Sequence, residues 1–243
     1  MSSKHKYLVI LPARLGAQRL PKKPLRLLGS LPIIGHTYNG VKSLFQHVYV
    51  ATDAEDIATA CLALDIPCIM TSTEHKNGTT RTLEAYESLG QEFDYIINVQ
   101  GDEAFISEEV LRPLLELLEE KSPEAATLKA PLPEYHSNSN VFVVTDNSQN
   151  ALYFSRSPIP VGRDAKPTRY QHVGVYAFTP RALKEYCSLS PTPLEQMEML
   201  EQLRWLEHGK KWAVATAPSK PLSIDTPADL ERAESFVKKP HQG

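Results

Sequence analysis

No aspartate or glutamate occurs in the first 52 residues; the first acid is Asp53. Residues 1–50 carry eight Lys/Arg, which leaves 18 for the other 193 residues against 29 acids, a net of −11 there. The whole chain is at −3, so general binding to nucleic acid is disfavoured. A basic front on an acidic body points instead to a local anion site. Cysteine is scarce: Cys61, Cys68 and Cys187 form no CxxC and no close cluster. With no signal-type stretch at the front, reduced thiols in a cytosol are expected, as small core residues. No apolar run approaches the ~18 residues of a spanning helix. Neither GxxxxGK[ST] nor GxGxxG occurs, which excludes the standard P-loop and dinucleotide fingerprints.

What is present is an α/β rhythm. Tyr7–Leu11 is continuously apolar, as a buried parallel strand is, and HVYVATD (47–53), IPCIM (66–70) and YIINVQGDEAF (95–105) predict further strands. Between them AEDIATACLAL, GTTRTLEAYESL (78–89) and SEEVLRPLLELLEEK (107–121) read as helices, with Asp53 and Ser107 as caps and Asp56 completing a capping-box-like pair. This alternation predicts a mostly parallel sheet covered on both faces. After 122 strands dominate: AATLKAP, NVFVVTD, HVGVYAF, KWAVATA and LSID. Residues 155–171 form a Pro- and charge-rich loop. TPLEQMEMLEQLRWLEHG (192–209) predicts one helix, with Thr192 and Glu195 as capping box, Gly209 as terminator and Met199, Leu203 and Leu206 as its apolar stripe. TPADLERAESFVKK closes the chain as a helix.

Four groups of residues carry chemistry. LPARLGAQRLPKKPL follows the first strand, where α/β sheets collect ligands. Arg14 and Arg19 can fork onto phosphate oxygens, Lys23 adds a point charge, and Gly16 lets backbone amides approach an anion. A solvated charged loop is the alternative. NVQGDE ends a strand on Asp102, a carboxylate suited to Mg²⁺, or else a turn residue. SIDTPADLE places Asp225 before a capped helix, as a second metal ligand or a helix cap. Arg156, His172, Tyr176, Glu201 and Gln202 suit a polyhydroxylated acid, with arginine for the carboxylate and the others for hydroxyls.

LPARLGAQRLPKKPL, VATD, MTSTEHKNGT, INVQGDE, ALYFSRSPIP, HVGVYAF, PLEQMEMLEQLRWLEHG and IDTPADLE occur together, in this order, across the chain. In this the chain resembles the 3-deoxy-manno-octulosonate (Kdo) cytidylyltransferases. The resemblance implies one Rossmann-like domain of nucleotidyltransferase type over residues 1–243: a mixed, mostly parallel sheet with helices on both faces and a small dimerisation extension. Residues of about 125–190 would form the sugar-site and dimerisation portion. It implies a cytoplasmic homodimer that uses Mg²⁺ to transfer CMP from CTP to Kdo for lipopolysaccharide synthesis, with no nucleic-acid or membrane partner. Arg14, Arg19 and Lys23 would contact the triphosphate, and Gly78 and Thr79 would lie by the nucleotide. Asp102 and Asp225 would bind the metal, with Arg14, Lys23 and Asp102 catalytic. Gln100, which would also touch the nucleotide, would line the sugar site with Arg156, His172, Tyr176, Glu201 and Gln202. The chain departs from the family pattern at Lys22 (for Gly), Thr80 (for an acid), Ala104 (for Pro) and Phe142 (for Lys). The departures at Thr80 and Phe142 keep open a related sugar acid, 8-amino-Kdo or sialic acid, and a non-catalytic sugar-nucleotide-binding paralogue.

Overall fold

The computed structural model describes residues 4–16, 19–101, 103–132, 140–164 and 166–237. Asp102 therefore lies outside the described residues. The chain is of the α/β class expected, and its contacts group into two compact units, one built on Tyr7–Glu108 with the segment from Pro221, the other on Glu109–Lys220. The sequence reading treats 1–243 as one domain; its sugar-site portion at about 125–190 falls within the second unit.

In the first unit, β1 (Tyr7–Ala13) leads through a 3₁₀ turn (Lys23–Leu25) and a small hairpin, β2 (Leu27–Leu28) and β3 (Leu31–Pro32), into α1 (Ile33–Lys42). There follow β4 (His47–Thr52), α2 (Glu55–Ala63), β5 (Cys68–Met70), α3 (Gly78–Ser88) and β6 (Tyr95–Val99). The strands pair in parallel: β1 with both β4 and β6, and β4 with β5. Leu8, Val9, Ile10 and Leu11 of β1 are wholly buried, which explains the unbroken apolar run. The chain moves outward from β1 to β4 to β5, then returns to the other side of β1 as β6. The carboxyl ends of β1 and β6 therefore flank a topological switch point, the place where open α/β sheets bind ligands.

In the second unit α4 (Glu108–Lys121) precedes β7 (Ala125–Pro131), β8 (Phe142–Thr145), β9 (Ala151–Ser155) and β10 (Tyr170–Phe178). Then come α5 (Pro180–Ser188), α6 (Pro193–Glu198), α7 (Gln202–Glu207) and β11 (Ala213–Thr216), while α8 (Pro227–Val237) returns the chain to the first unit. β7 lies between antiparallel β10 and parallel β11, and β8 pairs antiparallel with β10 and with β9.

Several local expectations are corrected. The helix expected over 192–209 is two helices, broken at Met199, whose φ of 53° is left-handed. Neighbouring groups take over this stretch. Arg156 donates from Nε to the Glu198 carbonyl at 3.1 Å and from Nη2 to the Met199 carbonyl at 3.3 Å, and Ser155 Oγ donates to the Glu198 carboxylate at 2.9 Å. Met199 is consequently exposed, while Leu203 stays buried. Gly209 does end the second helix, with φ of 72°. Ala54, not Asp53, is the N-cap of α2. Asp53 instead pairs with Arg81, and Asp56 with Lys22. LSID forms no strand; Ile224 packs with Leu20, Leu28 and Ile33 in a small core. Cys61 is buried as expected, but Cys68 and Cys187 are partly exposed; the neighbouring Cys68 thiol, with burial, pushes the Cys61 thiol up.

Candidate active site

A cavity opens at the carboxyl ends of β1 and β6. Pro12 and Ala13 line it from β1 and Arg14 from just beyond, Gln100 from just past β6, His75 and Asn77 from the loop before α3, and Gly78 and Arg81 from the first turn of α3. Of the residues read as nucleotide ligands, it brings together Arg14, Gly78 and Gln100. Two glycines make the approach of these segments workable. A Cβ on Gly101 would come 2.8 Å from the Pro12 carbonyl oxygen, so the turn after β6 can dock on the end of β1 only without a side chain. A Cβ on Gly78 would stand 3.0 Å from the Pro12 ring and 3.1 Å from Gln100 Nε2. The Thr79 side chain turns inward, where Asn98 Nδ2 donates to its hydroxyl at 3.4 Å.

Three cavity residues escaped the sequence reading. Arg81 is buried, donating from Nη2 to Asp53 Oδ2 at 2.9 Å and from Nη1 to Thr71 Oγ1 at 2.5 Å. Asn77 caps α3, its Oδ1 accepting the Thr80 N–H at 2.9 Å. His75 stands between Thr80 and Glu84. The capping pattern of NGTT was legible; the Arg81–Asp53 pair spans 28 residues and needed the fold.

Lys23, Arg19 and Asp225 form a second group in the same unit. Lys23 Nζ lies 2.8 Å and Arg19 Nη2 3.7 Å from Asp225 Oδ1. Lys22 turns away: it takes a left-handed φ of 55°, a conformation glycine adopts without strain, and pairs with Asp56 at 2.8 Å. Asp225 offers the carboxylate oxygen that Mg²⁺ requires. Such an ion usually takes one or two protein carboxylates and completes its shell with water and substrate phosphate. Among the described residues no three acidic, His or Cys side chains cluster.

The second unit gathers most of the sugar-acid set. Thr127 Oγ1 donates to the Val175 carbonyl at 2.7 Å and therefore accepts from His172 Nε2 at 2.8 Å, which fixes the proton on Nε2. Burial, with a smaller push from Lys220, drives the His172 pKa down to about 3, so the ring is neutral at ordinary pH. The His172 and Tyr176 rings lie 5.3 Å apart, and Tyr176 Oη donates to Gln202 Oε1 at 3.2 Å. Gln202 is 2% exposed, and among the described residues its Nε2 has no hydrogen-bond partner. Glu201 stands at the N-cap of α7, its carbonyl accepting Tyr186 Oη–H at 2.9 Å. Arg156 is exposed and tied to the α6 terminus. Phe142, where the resembled family has lysine, is buried opposite Gln171 and Ser155.

Residues 8–212 match the family model described as cytidylyltransferase. The chain belongs to this family. It is thus a nucleotidyltransferase by descent, and its curated relatives narrow the branch. It is 40% identical to the 3-deoxy-manno-octulosonate cytidylyltransferase of Phocaeicola vulgatus, over 96% of this chain and 98% of that one. It is 42% identical to the enzyme of the same name from Gemmatimonas aurantiaca, over 94% and 93%. Among solved structures, a CMP:2-keto-3-deoxy-manno-octonic acid synthetase complexed with CTP matches with a TM-score of 0.88 at 36% identity, over 96% of this chain and 98% of that one. A cytidylyltransferase from Leptospira borgpetersenii shares the fold, with a TM-score of 0.63 at 18% identity over 96% and 86%. Among the described residues no helix is long and apolar enough to cross a membrane.

Proposed function

We propose that this cytidylyltransferase transfers CMP from CTP to the anomeric hydroxyl of 3-deoxy-D-manno-octulosonate and releases pyrophosphate. The reading rests on one observation above the others: in a chain of this family, Arg14, Gly78 and Gln100 line one cavity at the switch point of the sheet. The hydroxyl oxygen forms a bond to the α-phosphorus as the bond to the β-phosphate oxygen breaks; the hydroxyl proton leaves to water. Such displacement asks for positioning and charge neutralisation more than for a covalent protein intermediate. Arg14 and Arg19 offer forked donors to the triphosphate, and Lys23 offers a point charge held in place by Asp225. Asp225, with Asp102, would hold Mg²⁺, which when bound neutralises phosphate charge and polarises the attacking hydroxyl. On the sugar side the open Gln202 Nε2 is a donor for a substrate oxygen, and neutral His172, its proton fixed on Nε2, presents Nδ1 as an acceptor for a hydroxyl. Arg156 would face the carboxylate.

The homodimer that the family resemblance implies is carried over as part of this proposal. CTP as donor suits a cytoplasmic protein. A pyrophosphate-release assay with CTP and Mg²⁺ tests the reaction, run with Kdo, 8-amino-Kdo and sialic acid in parallel. Turnover with Kdo above the other two is expected. Buried Phe142, in place of lysine, favours 8-amino-Kdo as the second reading, and preference for that acid would select it. CTP binding by calorimetry without pyrophosphate release from any acid would mark a non-catalytic paralogue and refute the reaction.

A further inference from the structure

The loop before α3 carries a chain of side-chain contacts that the proposed reaction leaves unused. His75 lines the cavity. Its Nε2–H donates to the Glu84 carboxylate, and its Nδ1 lies 3.1 Å from Thr80 Oγ1. Positions 80 and 84 are one helical turn apart on α3, so both reach the same ring. Both ring nitrogens are taken up within the protein, and the imidazole keeps none for a ligand.

Glu84 is itself anchored. Its two oxygens accept the Ser72 N–H at 3.0 and 3.2 Å. The His75 hydrogen bond above all, with the Ser72 N–H, holds its carboxyl below the usual carboxylate range. On the other side, Asn77 is tied to Thr80 through the 2.9 Å cap. The loop is thus fastened to α3 at residues 72, 75 and 77. Between the last two fastenings, the Lys76 carbonyl accepts from Arg14 Nη1 at 3.4 Å. Arg14, which lines the cavity, makes this bond from just beyond the end of β1.

We propose that Thr80, His75 and Glu84 are positioning residues for Arg14: they clamp the loop so that the Lys76 carbonyl sets the aim of the guanidinium into the cavity. The inference rests on the reading of that cavity as the nucleotide site. It also gives Thr80 a role at a position where the resembled family carries an acid. A hydroxyl completes the hydrogen bond to His75 without placing a second carboxylate beside Glu84.

The test is calorimetric CTP binding and steady-state kinetics on the full chain, as wild type, Thr80→Val, Thr80→Ser and Glu84→Gln. Thr80→Val and Glu84→Gln are expected to weaken CTP binding about tenfold, the size of one hydrogen bond to a charged group. KM for CTP should rise in step, with kcat within about threefold and KM for the sugar acid unchanged, as loss of ground-state binding requires. Thr80→Ser, which returns the hydroxyl, should recover most of the affinity that Thr80→Val loses. If Glu84→Gln melts early, Thr80→Val, which keeps the His75–Glu84 pair, decides. Wild-type affinity in folded Thr80→Val overturns the positioning role alone, as does an equal loss in the KM values of both substrates. Absence of CTP binding by the wild type would overturn the cavity reading and the positioning role together.

Discussion

Lys23 and Asp225 are 202 residues apart in the chain, and their side chains meet at 2.8 Å. The ammonium is buried, at 7% side-chain exposure, while the carboxylate keeps 28% of its surface in contact with solvent. The pair therefore joins the basic segment after β1 to the approach to α8, and it holds both charges ready before any substrate arrives. Asp225→Asn should leave the fold intact at a cost of about 1–2 kcal/mol, below the ~3–5 kcal/mol of a fully buried pair because the carboxylate is partly solvated. Turnover should fall on the order of a hundredfold or more, since a charge group of the proposed reaction site is lost. Urea unfolding and pyrophosphate release measure the two effects separately. A near-normal rate at low Mg²⁺ would show that Asp225 is not a metal ligand.

Gly78→Ala puts a methyl group against the Pro12 ring and the tip of Gln100, both at the cavity wall. The Gln100 amide can swing aside, so melting temperature should change little. The swing moves a cavity donor, and KM for CTP should rise about tenfold, a modest overpacking cost. Nucleotide titration of the folded variant checks this; unchanged affinity would remove Gly78 from the nucleotide site.

His172 makes stability fall with acid. The unfolded side chain takes a proton below about pH 6.5. The folded one resists until about pH 3, because burial penalises the charged ring. The unfolded state therefore binds more protons across this window, and stability declines by up to about 1.4 kcal/mol per pH unit as pH drops through it. Urea midpoints of wild type and His172→Gln between pH 7 and 4 isolate the contribution. The variant should be less stable at pH 7 yet lose less on acidification; parallel slopes would contradict the burial argument.

Met199 sits in the left-handed region with its side chain in solvent, so its replacement by glycine removes strain and little packing. The strain relief is about 1 kcal/mol, partly offset by the entropy glycine adds to the unfolded chain. Met199→Gly should gain roughly 0.5 kcal/mol in chemical denaturation. A loss of more than that would mean the thioether packs against something in solution.

The break at Met199 marks where the sequence misleads. An apolar period and a complete capping box argue for one helix, but the hydrogen bonds of Arg156 and Ser155 with this stretch come from residues over 40 positions away. α1 fails in the opposite way. Its two glycines and its lack of a side-chain cap hide a helix that was not read at all. Gly40 is there because a Cβ would overlap the Ile106 carbonyl oxygen, a packing reason invisible along the chain. By contrast β1, β4, β6 and α3 were legible, since each expresses its own burial pattern or cap. At the candidate site, the strand-end rule located Arg14, while Gln100 came only from the family resemblance. His75 and Arg81 were missed because their partners, Glu84 and Asp53, give no spacing signal of their own.

The pairings at the end of β1 bear on how fast an anion is captured. Lys22 is matched by Asp56, and Lys23 and Arg19 share Asp225. Much of the field of the acid-free front of the chain is therefore cancelled within a few ångströms. Such a cluster grips a polyphosphate at contact but pulls weakly on one a Debye length away. Association of CTP should accordingly be an ordinary diffusional encounter, with an on-rate that changes little between low and physiological salt.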